Sequence, residues 1–178
     1  MNRKVILYIA CSVDGFIADE CGKINWLGGD SNLYDGDYGH KEFLDTIDTV
    51  VMGYKTYEQV INEISPEVWP YENQITYVFT HRKKLSHKGV NFIEEDLNTF
   101  IEDEKMKKGK NIWICGGASF ANSLIKDNLI DEYHIVTMPI ILGKGMRLFY
   151  DDNPKKRLRL KNCREINGTI ESVYTPHK

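Results

Sequence analysis

Apolar residues in this chain fall into short unbroken runs, and between those runs they recur every three or four positions. The first pattern marks strands buried on both faces, and the second marks helices that bury one side. Residues 5–11 form the first run and predict a fully buried strand. Residues 12–37, rich in Gly, Asp and Asn, carry neither pattern. A loop of that length inside a compact domain usually serves as a lid or a binding loop. Residues 40–47 predict a short helix with Phe43, Leu44 and Ile47 inward, and 49–52 a strand. A helix over 56–64 turns Tyr57, Val60, Ile61 and Ile64 to the core, and Pro66 and Pro70 bracket the loop behind it. Strands at 75–80 and 90–93 follow, then a helix at 97–107 built on Leu97, Phe100, Ile101 and Met106. A strand at 111–115, a helix at 119–126 and a strand at 132–138 complete the alternation. The end differs: residues 157–165 and 169–175 flank Asn167-Gly168, a strong two-residue hairpin signal. Together these predict one domain over residues 1–178. Its fold class is a three-layer α/β/α arrangement whose mostly parallel, twisted sheet finishes in an antiparallel hairpin.

Charge narrows the partners. The 178 residues carry 23 basic and 26 acidic side chains, a net charge of −3 with the signs interspersed. That balance offers neither a basic nucleic-acid face nor an acidic tail. One local cluster, His81-Arg82-Lys83-Lys84, stands out, with His87 and Lys88 just behind it. Met1 to Lys4 lead into an apolar run too short for a signal peptide, and no span reaches membrane length. A cytoplasmic protein is expected. Cys11, Cys21, Cys115 and Cys163 show no CxxC spacing, and the histidines at 40, 81, 87, 134 and 177 are scattered. Neither a disulfide framework nor a metal site is predicted.

The chemistry lies where apolar runs end. Val50-Val51-Met52-Gly53-Tyr54-Lys55-Thr56 and Ile112-Trp113-Ile114-Cys115-Gly116-Gly117-Ala118-Ser119 each run from strand through glycine into a helix start. A helix start offers unpaired N–H groups and the positive end of a dipole, and glycine lets a ligand approach the backbone. A single such turn is an ordinary connection; two in one small domain suit two phosphates, or both phosphates of a dinucleotide. In open α/β sheets ligands sit beyond the carboxyl ends of the strands. Both glycine turns, the basic cluster after Thr80 and the long loop after Cys11 share that rim.

With the rim in place, the chain resembles the dihydrofolate reductase superfamily, most closely the stand-alone relatives of the riboflavin-biosynthesis reductase domain. The landmarks are Ser12-Val13-Asp14-Gly15-Phe16-Ile17-Ala18, Met52-Gly53-Tyr54-Lys55-Thr56, Ile114-Cys115-Gly116-Gly117 and Pro139-Ile140-Ile141-Leu142-Gly143-Lys144-Gly145 before Leu148-Phe149. The resemblance implies NADPH as hydride donor. It places the nicotinamide carboxamide on the backbone of Ala10 and Ile17. It gives the pyrophosphate to Lys55 and Thr56 beside Gly53, and to Gly116, Gly117, Ala118, Ser119 and Phe120, with a cis peptide between the two glycines. It gives the adenosine 2′-phosphate to Thr80, His81 and Arg82, an assignment that suits the arginine fork. One departure stands out. The residue after Gly53 is often arginine in the family and is Tyr54 here, so Arg82 carries most of the charge. Tyr54 is left to stack on adenine or to donate its hydroxyl.

On the substrate side, counting back from Met52-Gly53 puts Asp37 where dihydrofolate reductases place a proton-assisting carboxylate. A buried carboxylate there would have a raised pKa and donate a proton; helix capping is the plain alternative. Trp26 matches a loop tryptophan near the pterin, with simple packing as the other reading. Tyr34, Tyr38 and Trp69 line an aromatic pocket or pack the core and lid. Lys144 and Arg147 suit an anionic substrate group or a surface turn beside a dimer contact. No arginine in 68–74 matches the folate-tail anchor, and the acidic loop (Asp30, Asp35, Asp37) does not favour a phosphorylated substrate. The resulting expectation is an NADPH-dependent reductase, a homodimer, acting on a C=N or C=O bond of a small pterin- or pyrimidine-like heterocycle. The rivals are 5-amino-6-(5-phosphoribosylamino)uracil reductase and a non-catalytic nucleotide-binding protein.

Overall fold

In the computed structural model, residues 3–31, 33–83 and 85–177 are described; Lys84 of the basic cluster lies outside them, as do Met1 and Asn2. The chain runs β1 (Val5–Ser12), β2 (Phe16–Ala18), α1 (His40–Leu44), β3 (Ile47–Gly53) and α2 (Tyr54–Gln59), which widens into a π-helical turn (Val60–Ile64). It continues through β4 (Ile75–Phe79), β5 (Val90–Ile93), α3 (Leu97–Met106), β6 (Asn111–Gly116), α4 (Ala118–Lys126), β7 (Glu132–Met138), β8 (Met146–Arg147), β9 (Leu158–Ile166) and β10 (Thr169–Pro176). Eight strands form one sheet in the order β5-β4-β3-β6-β1-β7-β10-β9. Every pair from β5 to β7 is parallel, and β10 runs antiparallel to both of its neighbours.

Alternation along β1 shows how the layers arise, because successive side chains point to opposite faces of a sheet. Val5, Leu7 and Cys11 join Phe100 and Ile101 of α3 and Ala121 and Leu124 of α4 in one cluster. Ile6 and Tyr8 join Phe43 of α1, Tyr57 of α2, and Trp69 and Tyr71 in the other. Both faces of the central strands are covered, which is why they read as unbroken apolar runs. Burying one such side chain contributes about 1.5–3 kcal/mol. Among the described residues no helix is long and apolar enough to cross a membrane.

Three local differences from the sequence reading have physical causes. The helix read over 40–47 stops at Leu44, because Ile47 is already the first residue of β3 and only mimics helical spacing. The helix read from 56 begins at Tyr54, directly after Gly53. Inside the long loop, Phe16–Ala18 pairs with Met146–Arg147 as a separate two-stranded ribbon. Strands this short carry no period-2 signal. Their pairing needs glycine at 145, where a Cβ would overlap the Ala18 carbonyl.

At the amino ends of the strands, Arg3 is buried and bonds Asp48, Glu104 (2.8 Å), Thr49 Oγ1 (2.5 Å) and the Lys110 carbonyl (2.7 Å). This clamp closes the end of the sheet opposite the glycine turns.

Candidate cofactor and substrate site

The two glycine turns are neighbours in space. β3 and β6 are adjacent, with Met52 paired to Gly116, so the starts of α2 and α4 are neighbours at the carboxyl end of the sheet, although α2 then packs on one face and α4 on the other. Both helices start on glycine, Gly53 and Gly117, with no side-chain cap. By contrast, α3 is capped by Asp96, which accepts from Thr99 N at 2.9 Å. Side chains therefore leave the first-turn N–H groups of α2 and α4 free for an acceptor, and both dipoles favour an anion. Gly116 has φ of +128°, a conformation open to glycine, and the Gly116–Gly117 peptide is cis. A Cβ on Gly117 would lie 3.6 Å from Thr56 Oγ1, and one on Gly53 would lie 3.9 Å from the Phe120 ring. The missing side chains open a cradle walled by Thr56 and Phe120. Lys55 and Ser119 are exposed beside it, and Ala118 is buried beneath.

Tyr54 and Arg82 meet at the edge of this cradle. The Arg82 guanidinium carbon lies 4.1 Å from the centre of the Tyr54 ring, and Arg82 Nη1 lies 3.9 Å from Glu58 Oε1. Thr80 Oγ1 accepts from Arg82 N at 3.0 Å and fixes the backbone. Tyr54 is thus a platform that holds Arg82, a role neither of its two sequence readings included. His81 turns away, with Nδ1 2.9 Å from Glu94 Oε1 and its side chain 94% exposed.

The loop after β1 is tied to the segment after β7. Ser12 Oγ donates to Asp14 Oδ1 (2.6 Å), and the N–H groups of Leu142 (3.1 Å) and Gly143 (2.7 Å) donate to the same carboxylate. The serine hydroxyl first, and then these amides, lower the Asp14 pKa to about 2. Val13 N donates to Ile140 O (2.8 Å), and Gln59 Nε2 donates to Gly22 O (3.1 Å), which draws the loop over α2. Ala10 stands near the end of β1, and Ile17 in β2 packs on the α3–α4 side. A crevice of about 660 Å³ opens between Phe16, Asp19, Glu20 and residues 143–146. Lys144 lines this crevice, 3.8 Å from Glu20, and is not in the cradle.

The expectation of a raised pKa at Asp37 is corrected. Asp37 is exposed and accepts from Lys41 N (2.7 Å) and Gly39 N (3.0 Å), so its carboxylate caps α1. These bonds, the Lys41 amide first, hold its pKa below the ordinary value. Tyr38 has its hydroxyl engaged, accepting from Gly29 N (3.0 Å) and Asn167 Nδ2 (3.2 Å). Trp26 donates to Lys23 O (3.1 Å) and packs on the cluster that contains Tyr57 and Trp113, with Ala10 and Tyr54 around it. Trp69 and Tyr71 lie in that same core. His40 escaped the sequence reading. Its ring centre is 6.0 Å from Tyr8 and 5.6 Å from Trp113, and only its place three residues before Phe43 on the same helix hinted at this.

An eight-stranded, largely parallel sheet with paired uncapped glycine turns defines a dihydrofolate-reductase-like fold. Within it, the chain belongs to the RibD C-terminal domain family, whose model matches residues 3–171. It is 40% identical over 175 residues to the uncharacterized protein YwjB of Bacillus subtilis, covering 98% of each chain. A candidate riboflavin biosynthesis protein from Shewanella sp. PV-4 matches with a TM-score of 0.85 and 27% identity over 100% of both chains. The dihydrofolate reductase of Enterococcus faecalis, solved with NADP(H), shares the fold at a TM-score of 0.67 and 16% identity, again covering 100% of both.

Proposed function

We propose that this protein is an NADPH-dependent reductase that delivers a hydride to a C=N or C=O bond of a small pterin- or pyrimidine-like heterocycle. The carrying observation is the pair of uncapped glycine helix starts facing each other across β3 and β6, with Arg82 held at their edge by Tyr54. The donor set fits a dinucleotide. The first turns of α2 and α4, with Lys55, Thr56 and Ser119, hold the pyrophosphate. Arg82, with Thr80, takes the 2′-phosphate as a fork on a dianion, and His81 stays at the rim. The backbone of Ala10 and Ile17 holds the carboxamide, under a loop that Asp14 pins in place. When bound, the dihydronicotinamide supplies the hydride; the protein's own share is to bind, orient and exclude water. Trp26 and Tyr38 shape the substrate side, and Lys144 offers a charge at the neighbouring crevice. The protein works in the cytoplasm as a homodimer. Leu158, Leu160 and Ile170, exposed on the terminal hairpin, support a second copy packing there.

The family match favours one specific second reading, the reduction of 5-amino-6-(5-phosphoribosylamino)uracil. The test is loss of dihydronicotinamide absorbance when the protein meets NADPH with that compound or with dihydropterins. Oxidation with any acceptor supports a reductase, and rescue of a riboflavin-requiring strain selects the riboflavin-pathway reaction. NADPH binding without turnover across the panel would make it a nucleotide-binding protein instead.

A further inference from the structure

Hydride transfer to C=N or C=O leaves a nitrogen or oxygen that must gain a proton. Asp37 is committed to capping α1 and stays ionised. We propose that His40 is the proton donor, placed at the start of α1 on the face of the sheet that Ala10 and Cys115 also border. This rests on the reductase reading and assigns the donor that the reading lacks.

Placement comes first. His40 packs over Tyr8 of β1 and stands edge-on to Trp113 of β6, at 70° between the rings. Tyr8 and Ala10 are two residues apart on one strand, and Trp113 and Cys115 two apart on the neighbouring one. Each pair therefore shares a face of the sheet, with the second member about 7 Å nearer the rim. Ala10 and Cys115 both border the α1–α2 cluster. His40 thus stands one step below the backbone assigned to the carboxamide, on the same face of the sheet. It is half-buried.

Elimination comes second. Three other protic groups of this face, Tyr8, Cys115 and Tyr71, hold their protons tightly. Burial pushes Tyr8 up to about 12 and Cys115 up to about 12. Tyr71, which donates to Cys115, is raised well above its ordinary value, first by burial. The groups around His40 are Asp37 before it, Tyr8 on β1, His134 on β7 at 6.2 Å from Tyr8, and Arg164 on β9, which pairs Glu42 and Glu171. Burial lowers the pKa of His40, and the Asp37 charge opposes this only in part. The imidazolium is therefore a stronger acid than an ordinary histidine's.

The step balances. A hydride with its two electrons passes from the dihydronicotinamide of the donor to the carbon of C=N or C=O, and the π bond opens onto N or O. That atom takes the proton from the His40 imidazolium. The products are oxidised nicotinamide, the reduced substrate and neutral His40, which is reprotonated by solvent. The rate is greatest at low pH and falls as pH rises through the lowered His40 pKa.

The test titrates histidine ring carbons by NMR in protein labelled at histidine, free, with NADPH and with NADP⁺. The His40 signal is identified by its absence in His40→Gln, with retained folding of that variant checked by its melting temperature. The positive charge of oxidised nicotinamide is expected to lower the His40 midpoint by about half a pH unit or more relative to the NADPH complex. An unchanged midpoint in two complexes that quench fluorescence and shift other signals would remove His40 from the reacting face and leave the reductase reading standing. Failure of both dinucleotides to bind would overturn the reductase reading itself, and His40 as donor with it.

Discussion

Tyr54 and Arg82 show how an aromatic ring can fix the position of an exposed guanidinium. The guanidinium rests on the ring at 4.1 Å, so the tyrosine holds the arginine at the edge of the glycine cradle. A cation–π contact at an exposed site contributes about 0.5–1 kcal/mol, so Tyr54→Ala is expected to weaken NADPH binding roughly two- to fivefold and leave NADH nearly unchanged. Fluorescence quenching with both dinucleotides checks this. Asp37 illustrates the opposite case, a residue expected to hold a proton whose surroundings commit it to a helix cap. Its two backbone bonds support α1, and Asp37→Ala is expected to cost about 1 kcal/mol in urea unfolding at neutral pH. Because the folded pKa lies below the unfolded one, that contribution is complete above the ordinary carboxyl range and is lost as pH falls through the lowered value. Glycine turns and the basic cluster could be read from sequence because they are local backbone and charge patterns. The acidity of Asp37 could not, since it depends on how Gly39 and Lys41 present their amides.

The terminal hairpin does more than end the sheet. Asn167, at φ of +49°, carries its tip against the loop before α1. Its carbonyl accepts from Asp30 N (2.9 Å), its Oδ1 accepts from Ser31 N (3.2 Å), and its Nδ2 donates to Ser31 O and to Tyr38 Oη (both 3.2 Å). A buried or partly buried hydrogen bond nets about 1 kcal/mol, so Asn167→Ala is expected to destabilise this clasp by roughly 1–2 kcal/mol. Hydrogen exchange of the Ser31 amide reads the loss directly, and α3 should keep its protection. The hairpin was evident from Asn167-Gly168, whereas the clasp, which pairs positions far apart in the chain, carried no local signal. The same distinction separates β1, β3 and β6, plain as apolar runs, from the β2–β8 ribbon, which exists only because two distant loops meet.

Across the whole molecule, stability and chemistry sit at opposite ends of the sheet. Arg3 neutralises Glu104 and Asp48 at the amino ends, while the glycine turns lie at the carboxyl ends. Removing one partner of a buried pair costs about 3–5 kcal/mol, so Arg3→Met is expected to lower the melting temperature sharply. NADPH affinity measured well below that temperature should not change. The cofactor assignment ties the two glycine turns, Tyr54 and Arg82 into one site, so a titration of NADPH against NADH, on wild type and Arg82→Ala, tests it most directly. NADPH is expected to bind at least about tenfold tighter, a gap of roughly 1.4 kcal/mol that the substitution largely erases. Equal affinity for the two dinucleotides, or a preference that survives Arg82→Ala, would contradict the site; binding of neither would return both glycine turns to plain connections.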